Sequence, residues 1–505
     1  MDATMHTRMP LLMPDDFSDL HLCGWRIEPG EVGPENPLLE GILPWNSGGV
    51  GAHSSVFHDP IDGLWKGYLM CTPPETSSKD WHSPWNTPCH GYRHTCYFES
   101  NDGVEWRAPE LGIYPWKDHQ NTNALFDLHE GSSQYSSIMV LEDDPDWQYE
   151  LFILREPSAL AQPFKGYGYY RYRSRDAKTW EYWEGPIVEP MSGDLAFFYR
   201  DNGKYVAYYR LALPKQEGDH VPIYEDSARR SVYRAISDDD GSTWKVDENA
   251  VLLTADDRDH RDTQYQELVP LKVNGGYIGM ITMYLPITQT LNVRLALSRD
   301  GQSWWMPDRR PCLPNAPLGD YGGGMIWQSQ NLHVIDGHLY LYYGGAEGPH
   351  RIIHETRAPG VKIGMDDCID HGAHFIPFNA ALCRANWRFD RVHALCAAAG
   401  GPLVGEATTK KQDLAGKPLN VNIKTRPAKK ADTPGIDEGH LQVELLDGEE
   451  KPIKGFTRED CATLKGDHTD LAVSWKGGDR APAGAAQARF YLKRTLFYGF
   501  EFGDV

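Results

Sequence analysis

The sequence predicts an all-β chain, a five-bladed β-propeller followed by a C-terminal β-sandwich. Three observations carry that expectation. A Ser-x-Asp motif ending in Trp recurs as SNDGVEW (100–106), SRDAKTW (174–180), SDDDGSTW (237–244) and SRDGQSW (298–304), with the tryptophans 74, 64 and 60 residues apart. Glycine (49) and proline (35) exceed the average share, which points to many turns rather than long helices. Beyond residue 395 the texture changes to short segments that alternate apolar and polar residues between turns.

Residues 1–45, rich in Pro, Gly and acids, read as an arm packing on the propeller. From 46 to 394 each repeat opens with a strand, a tight turn and an aromatic strand. The turns are PIDG (60–63), DDPD (143–146), RDNG (200–203), VNGG (273–276) and IDGH (335–338). The aromatic strands are KGYLM (66–70), ELFIL (150–154), YVAYYRL (205–211), YIGMITMY (277–284) and LYLYYGG (339–345). Strand, turn, aromatic strand and a Ser-x-Asp hairpin make one blade, and five ordered copies make five blades. In 395–505, PLNVNIKT, GHLQVELLDGEE and ARFYLKRTLFYGFEF read as antiparallel strands of a separate sandwich, with RPAKKADTPG (426–435) as a solvated loop.

Fifty Lys and Arg against 71 Asp and Glu give a net charge of −21. Such a surface repels phosphate backbones and anionic lipid, so neither nucleic acid nor membrane is an expected partner. No apolar run approaches the roughly 18 residues that span a bilayer. The nine cysteines contain no CxxC, which indicates neither a zinc ribbon nor a disulfide framework. The first residues show no basic segment followed by an apolar run, so a cytoplasmic location is the default, with secretion the alternative if a leader has been trimmed. Sixteen Trp and 26 Tyr suit sugar-stacking surfaces and β cores alike. Oligomeric state is not legible.

The DG-x-x-W blade ends, the GMI…LYLYYGG fifth blade and GFTREDCATLKGDHTDLAVSWKGG (455–478) resemble the five-bladed propeller glycoside hydrolases of families 32 and 43, over nearly the whole chain. That resemblance implies hydrolysis of a glycosidic bond, often furanosidic, by carboxylates in the central funnel. It implies no required cofactor. A single Ca²⁺ or other ion on the propeller axis occurs in the superfamily, and no motif here demands it. The Asn-Asp-Pro-Asn-Gly motif of family 32 has a partial counterpart in His58-Asp59-Pro60-Ile61-Asp62-Gly63, but Asp59 abuts a hairpin turn and reads as a turn acid. The family's Arg-Asp-Pro and Glu-Cys motifs are absent, so its catalytic residues do not carry over by motif.

Propeller geometry offers a second route, because the innermost strand of each blade begins at the funnel. Seven residues before each inner turn lie Ser55, Ser136, Asp194, Glu267 and Ser329, with His53, Gln134, Gln328 and Gln330 close by. Only Asp194 and Glu267 are carboxylates and they fall on neighbouring blades, which suits the acid and base or nucleophile of glycoside hydrolysis. Glu267, with apolar neighbours, is the expected general acid and Asp194 the nucleophile or base. Asp320, in LGDYGGGMIW, is a third candidate, with Gly322 standing where relatives tend to carry a second acid.

For substrate binding the candidates are His53, Gln134, Arg155, Arg210, Tyr265, Asp262, Gln328, His90 and His350. Arg155, Arg171, Arg173 and Arg210 could hold an anionic sugar, or could pair with acids. The run 81–96, with His82, His90 and His94, reads as a funnel-rim substrate loop more than a metal site, because its spacing matches no zinc pattern. His354 could also reach the funnel. SDDDGSTW matches the Asp-box of sialidases, a hairpin motif remote from catalysis, but neither six blades nor an arginine triad is evident. Carbohydrate is thus the expected partner. Two other readings stay open: a non-catalytic carbohydrate-binding propeller, and a propeller phosphorylase with an Arg/His/Lys phosphate pocket beside one acid.

Overall fold

The computed structural model describes residues 9–72, 93–127, 131–142, 144–157, 166–191, 195–214, 228–260, 263–350, 380–398, 403–427 and 438–503. Among them the regular elements are strands and short 3₁₀ turns. Five antiparallel sheets follow one another along the chain. Blade one contains Gly49–Gly51, Val56–His58, Trp65–Thr72, His94–Ser100 and Trp106–Arg107, and blade two Gly131–Val140, Tyr149–Pro157, Gly168–Ser174 and Glu181–Ile187. Blade three contains Ala196–Asp201, Lys204–Pro214, Ala228–Ser237 and Lys245–Val246, and blade four Gln264–Val273, Gly276–Leu285 and Thr290–Ser298. Blade five contains Met325–Ile335, His338–Ala346 and Ala380–Arg388, with Glu31–Val32 on its outer edge. Each sheet packs on the next, and the fifth packs back on the first. The ring is closed.

Closure needs a close backbone approach. A Cβ at Gly344 would lie 2.7 Å from the Ala52 nitrogen, so the glycine of LYLYYGG lets blade five pass beside the inner strand of blade one. Turn chemistry does the rest. Asn202-Gly203 and Asp336-Gly337 are two-residue turns with positive φ at both positions (49° and 76°, 48° and 74°), the backbone twist that joins right-twisted strands. In each Ser-x-Asp hairpin the Asp Oδ1 accepts backbone N–H groups, from Val104, Lys178, Thr243 and Gln302, each at 2.8 Å. The Thr243 hydroxyl and N–H hold the Asp239 carboxyl down at about 2. The tryptophans that end two of these motifs donate to the carbonyls of Gly103 and Gly241, fixing the hairpins on their blades.

The arm departs from expectation. Phe17–His21 pairs with Gly405–Thr409 and Cys23–Ile27 with His393–Ala397, one in each sheet of the sandwich, while Glu31–Val32 pairs with Ala385 and Asn386 of blade five. It is therefore woven into both domains rather than laid on one. The physical reason is edge protection: an unpaired outer strand on blade five and open sandwich edges would all invite foreign strands. The sandwich core gathers Leu419, Val421, Ile423, Val443, Phe490 and Phe497 from its two sheets.

Two buried histidines, His94 and His393, and the half-buried His333 give the fold an acid-labile signature. Burial pulls His94 down to about 3 and His333 and His393 to about 4, from an ordinary 6.5. As pH falls through 6.5 the unfolded chain takes up these protons first, so stability is full above that value and is lost as pH falls towards 4. Each histidine contributes up to about 1.4 kcal/mol per pH unit. Urea unfolding between about pH 6 and 4.5 is expected to lose as much as about 4 kcal/mol per unit, and His333→Gln to remove about a third of that slope. A flat profile would contradict this assignment.

Candidate active site

The ring has two unlike ends. Inner-strand turns and Ser-x-Asp hairpins share one end, where the arm docks: the Leu11 N–H donates to the Asn274 carbonyl (2.9 Å), and Arg299 pairs with Asp15 (3.0 Å) and Asp16 (2.7 Å). At the other end the inner strands begin, and four of them are interrupted at one level. In blade one Ala52–Ser55 face only Tyr68 and Leu69, and in blade two Tyr135 and Ser136 face only Ile153. In blade four Gln266 is an extra residue, and in blade five Ser329–Asn331 face only Tyr342. Bulges re-aim side chains and gather next to active sites. The seven-residue count lands within or beside each of these four interruptions.

Below this level the axis is closed by hydrogen bonds. The Ser55 hydroxyl donates to Gln330 Oε1 (2.7 Å), the Gln330 amide donates to the Phe198 carbonyl (2.6 Å), and the Ser137 hydroxyl accepts the Phe198 N–H (3.1 Å). Blades one, two, three and five are thus tied at the centre. These axial donors are hydroxyls and amides already engaged with one another. Among the described residues no group of three or more His, Cys, Asp or Glu stands where it could hold a metal ion.

Above the closure sits Glu267, 3 % exposed. Its Oε1 accepts the Thr282 hydroxyl (2.6 Å), and its Oε2 lies 3.2 Å from His53 Nδ1, reached across the ring by the break in blade one. The His53 ring meets Tyr135 edge-on at 5.4 Å and lies 5.3 Å from Trp327. Tyr135 holds φ at 54°, an uncommon conformation for a bulky residue and one that concentrates at functional sites. Burial, then the Glu267 charge, push the Tyr199 hydroxyl well up. Beside Glu267, Arg210 donates to the Gln266 side chain, and burial and the neighbouring Arg230 pull the Arg210 guanidinium down to about 10. Arg93 donates to Gln134 Oε1 and the Tyr135 hydroxyl, both at 3.2 Å.

The structure brings Glu267, His53, Gln134 and Arg210 to this end of the ring. His350 is at the same end, its N–H on the Gln289 carbonyl (2.8 Å) and its ring 5.4 Å from Tyr284. Asp194, Asp262, His82, His90 and His354 lie outside the described residues. Several expectations are corrected. Tyr265 is 0 % exposed, because the bulge at Gln266 turns it into the blade interior, where its hydroxyl donates to Asp259 (2.9 Å) and accepts from Arg309 (2.8 Å). Gln328, also 0 % exposed, donates to the Met280 carbonyl (2.9 Å) and ties blade five to blade four. Arg155 is buried on the Phe126 ring and donates to the Tyr172 hydroxyl (2.8 Å). Arg171 pairs with Glu150 and Glu184, and Arg173 stacks on Trp183. His94 is buried against Trp116 in blade one.

Asp320 stands exposed in a turn closed by its own carbonyl, which accepts the Gly323 N–H (2.8 Å). None of its described contacts reaches Glu267. The glycine run there admits backbone: a Cβ at Gly323 or Gly324 would strike the carbonyl of Pro317 or Gly348. Asp59 behaves as the turn acid expected, capping the Ile61 N–H (2.9 Å), and it also accepts from Lys66 of its own blade and from Tyr149 of blade two. Thr282, Tyr135, Trp327, Tyr199, Gln266 and Arg93 were not legible as site residues. The bulges that aim Tyr135 and Gln266 leave no sequence pattern.

No protein-family model matches the chain, and no curated protein matches it. Solved structures similar to it include one described as a glycoside hydrolase (13 % identity, 72 % of this chain and 92 % of that one, TM-score 0.45). Another comes from a study of the family 130 mannoside phosphorylases and of the glycoside hydrolases among them that target β-1,2 mannosidic linkages in Candida mannan (14 % identity, 75 % and 96 %, TM-score 0.39). A third is a family 43 arabinoxylan arabinofuranohydrolase from Bacillus subtilis in complex with cellotetraose (11 % identity, 93 % and 98 %, TM-score 0.37).

Proposed function

We propose that this chain is a glycoside hydrolase that works at the end of its propeller where the inner strands begin, with Glu267 as general acid and Asp194 as nucleophile or base. The observation that supports this reading is the seat of Glu267, a buried carboxyl with one oxygen held by Thr282 and the other facing His53. A carboxyl so fixed can deliver a proton to one point in space. The glycosidic oxygen receives that proton as its bond to the anomeric carbon breaks, and Asp194 attacks that carbon or takes a proton from the attacking water. Trp327 and Tyr135 offer apolar faces to the sugar ring. Retention would go with carboxyl groups about 5–5.5 Å apart and inversion with about 6.5–9.5 Å.

A screen of 4-nitrophenyl furanosides and pyranosides tests this, with Asp194→Asn and Glu267→Gln run beside the wild type. Release of nitrophenol that Asp194→Asn loses and Glu267→Gln lowers is the expected result. Wild-type rates in both would end the assignment. Arg210, which donates to the Gln266 side chain and has Arg230 near it, is the observation behind a second reading, phosphorolysis. Added phosphate would then divert the product from free sugar to sugar 1-phosphate. Binding without turnover of any glycoside would instead mark a carbohydrate-binding propeller.

A further inference from the structure

Several arginines of the blades meet a carboxylate: Arg171 that of Glu150, Arg234 that of Asp247, Arg294 that of Asp259 and Arg384 that of Glu35. Arg93 does not. It is half-buried, and among the described residues its side-chain partners are both neutral, Gln134 Oε1 and the Tyr135 hydroxyl, each accepting from Nη1 at 3.2 Å. Its backbone is pinned as well, the carbonyl accepting the Ser133 N–H (3.0 Å) and the Ser132 hydroxyl (2.9 Å). A cation partly stripped of water and fixed in place, with neutral neighbours only, is arranged for an anion from outside the chain.

Its place is beside the funnel carboxyl. The Tyr135 ring meets His53 edge-on at 5.4 Å, and His53 Nδ1 lies 3.2 Å from Glu267. The hydroxyl of that same Tyr135 is the one Arg93 holds. Arg210 is near enough to respond to the Tyr135 hydroxyl, and it is fixed to Gln266, next in the chain to Glu267. Arg230 shares the Arg210 face, because Arg210 pairs with Val232 and Arg230 lies two residues away on that strand. Arg93, Arg210 and Arg230 are all half-buried rather than enclosed. Positive charge thus gathers on one side of the funnel in a chain whose net charge is −21.

The shape of the donor narrows the anion. The contacts of Arg93 use Nη1, and its Nε–Nη2 edge, two parallel N–H donors in one plane, meets no acceptor among the described residues. That fork matches a carboxylate. The sugars that carry a carboxylate on the ring are the uronic acids.

We propose that the funnel takes a glycoside of a uronic acid, with the Nε–Nη2 edge of Arg93 binding the sugar carboxylate and Arg210 adding charge beside it. The inference rests on the carbohydrate-binding role proposed above for this end of the ring, and not on which group is the acid.

Isothermal titration of the full chain tests it, with D-glucuronate, D-galacturonate and digalacturonate as probes, each beside its neutral parent, and with inorganic phosphate. At least one uronate is expected to bind about tenfold or more tighter than its parent. Arg93→Gln should erase that preference, and Arg93→Lys, which keeps the charge without the fork, should retain only part of it. Tyr135→Phe removes the hydroxyl that holds Nη1 and should narrow the preference too, so a poorly folding Arg93 variant leaves the test intact. Arg175→Gln, at an exposed position of blade two, should leave it unchanged. The proposal is overturned if no uronate binds, if none is preferred to its parent, or if the preference survives Arg93→Gln. Phosphate bound in an Arg93-dependent way, with no uronate bound, would also overturn it. Binding is read without turnover, so the two readings fail separately: nitrophenol release that depends on Glu267, with no uronate preference, ends this proposal alone.

Discussion

Replacing Glu267 by Gln is expected to lower turnover of the chain's glycoside substrate by about 10²- to 10⁴-fold, with the Michaelis constant and melting temperature little changed. Gln keeps the shape, and its amide oxygen can still accept from Thr282, so folding has little reason to respond. What it lacks is a proton to give. The loss should therefore follow the leaving group: large for an alkyl or sugar alcohol, small for 2,4-dinitrophenolate, which departs unprotonated. Rates measured across such a series would identify the acid. Equal loss for every leaving group would remove Glu267 from that role and leave it as a binding or structural carboxylate.

The second large effect is on stability. Arg171 and Glu150 are both fully buried in blade two, paired with each other, with Arg171 also reaching Glu184 (2.7 Å) and the Asp240 carbonyl (2.6 Å) of blade three. Arg171→Met is expected to cost about 3–5 kcal/mol, because it leaves the Glu150 carboxylate in the interior without its cation. The Tyr205 hydroxyl (2.7 Å) alone does not compensate that charge. The double variant Arg171→Met, Glu150→Met removes both charges and should recover part of the loss, since an apolar pair of similar volume often matches a buried ion pair. Urea midpoints of the three proteins decide it. A single variant within about 1 kcal/mol of wild type would show that the pair is incidental.

The blades were legible because hairpin chemistry is local. Ser100 with Asp102, Asn202 with Gly203 and Asp336 with Gly337 write their turns into adjacent residues. The register of Glu267 was legible for a related reason, since a fixed count from a turn locates the start of an inner strand. The surroundings of Glu267 were not. His53 reaches it from 214 positions away through a broken strand, and Thr282 through a cross-strand pair whose register a bulge shifts. Tyr265 and Gln328 show the converse: at the expected level of the funnel, yet turned inward by those same irregularities. Period-two reasoning assigns faces correctly only where the ladder is regular. Arg171, unlike Arg210, failed for another reason, because in a crowded blade it serves acids of the interior rather than an anionic sugar.

The threading of the N-terminal arm bears on how the chain is made. Among the described residues Phe17–His21 pairs with Gly405–Thr409, and Glu31–Val32 with Ala385 and Asn386, so each of these strands waits for a partner made far later in the chain. Contacts so distant along the chain carry a large loop-closure cost and slow folding. Blades one to four consist of local hairpins, whereas ring and sandwich are complete only once these distant pairings have formed. The two domains are therefore born coupled: the strands that finish one are continuous, over a few residues, with the strand that finishes the other.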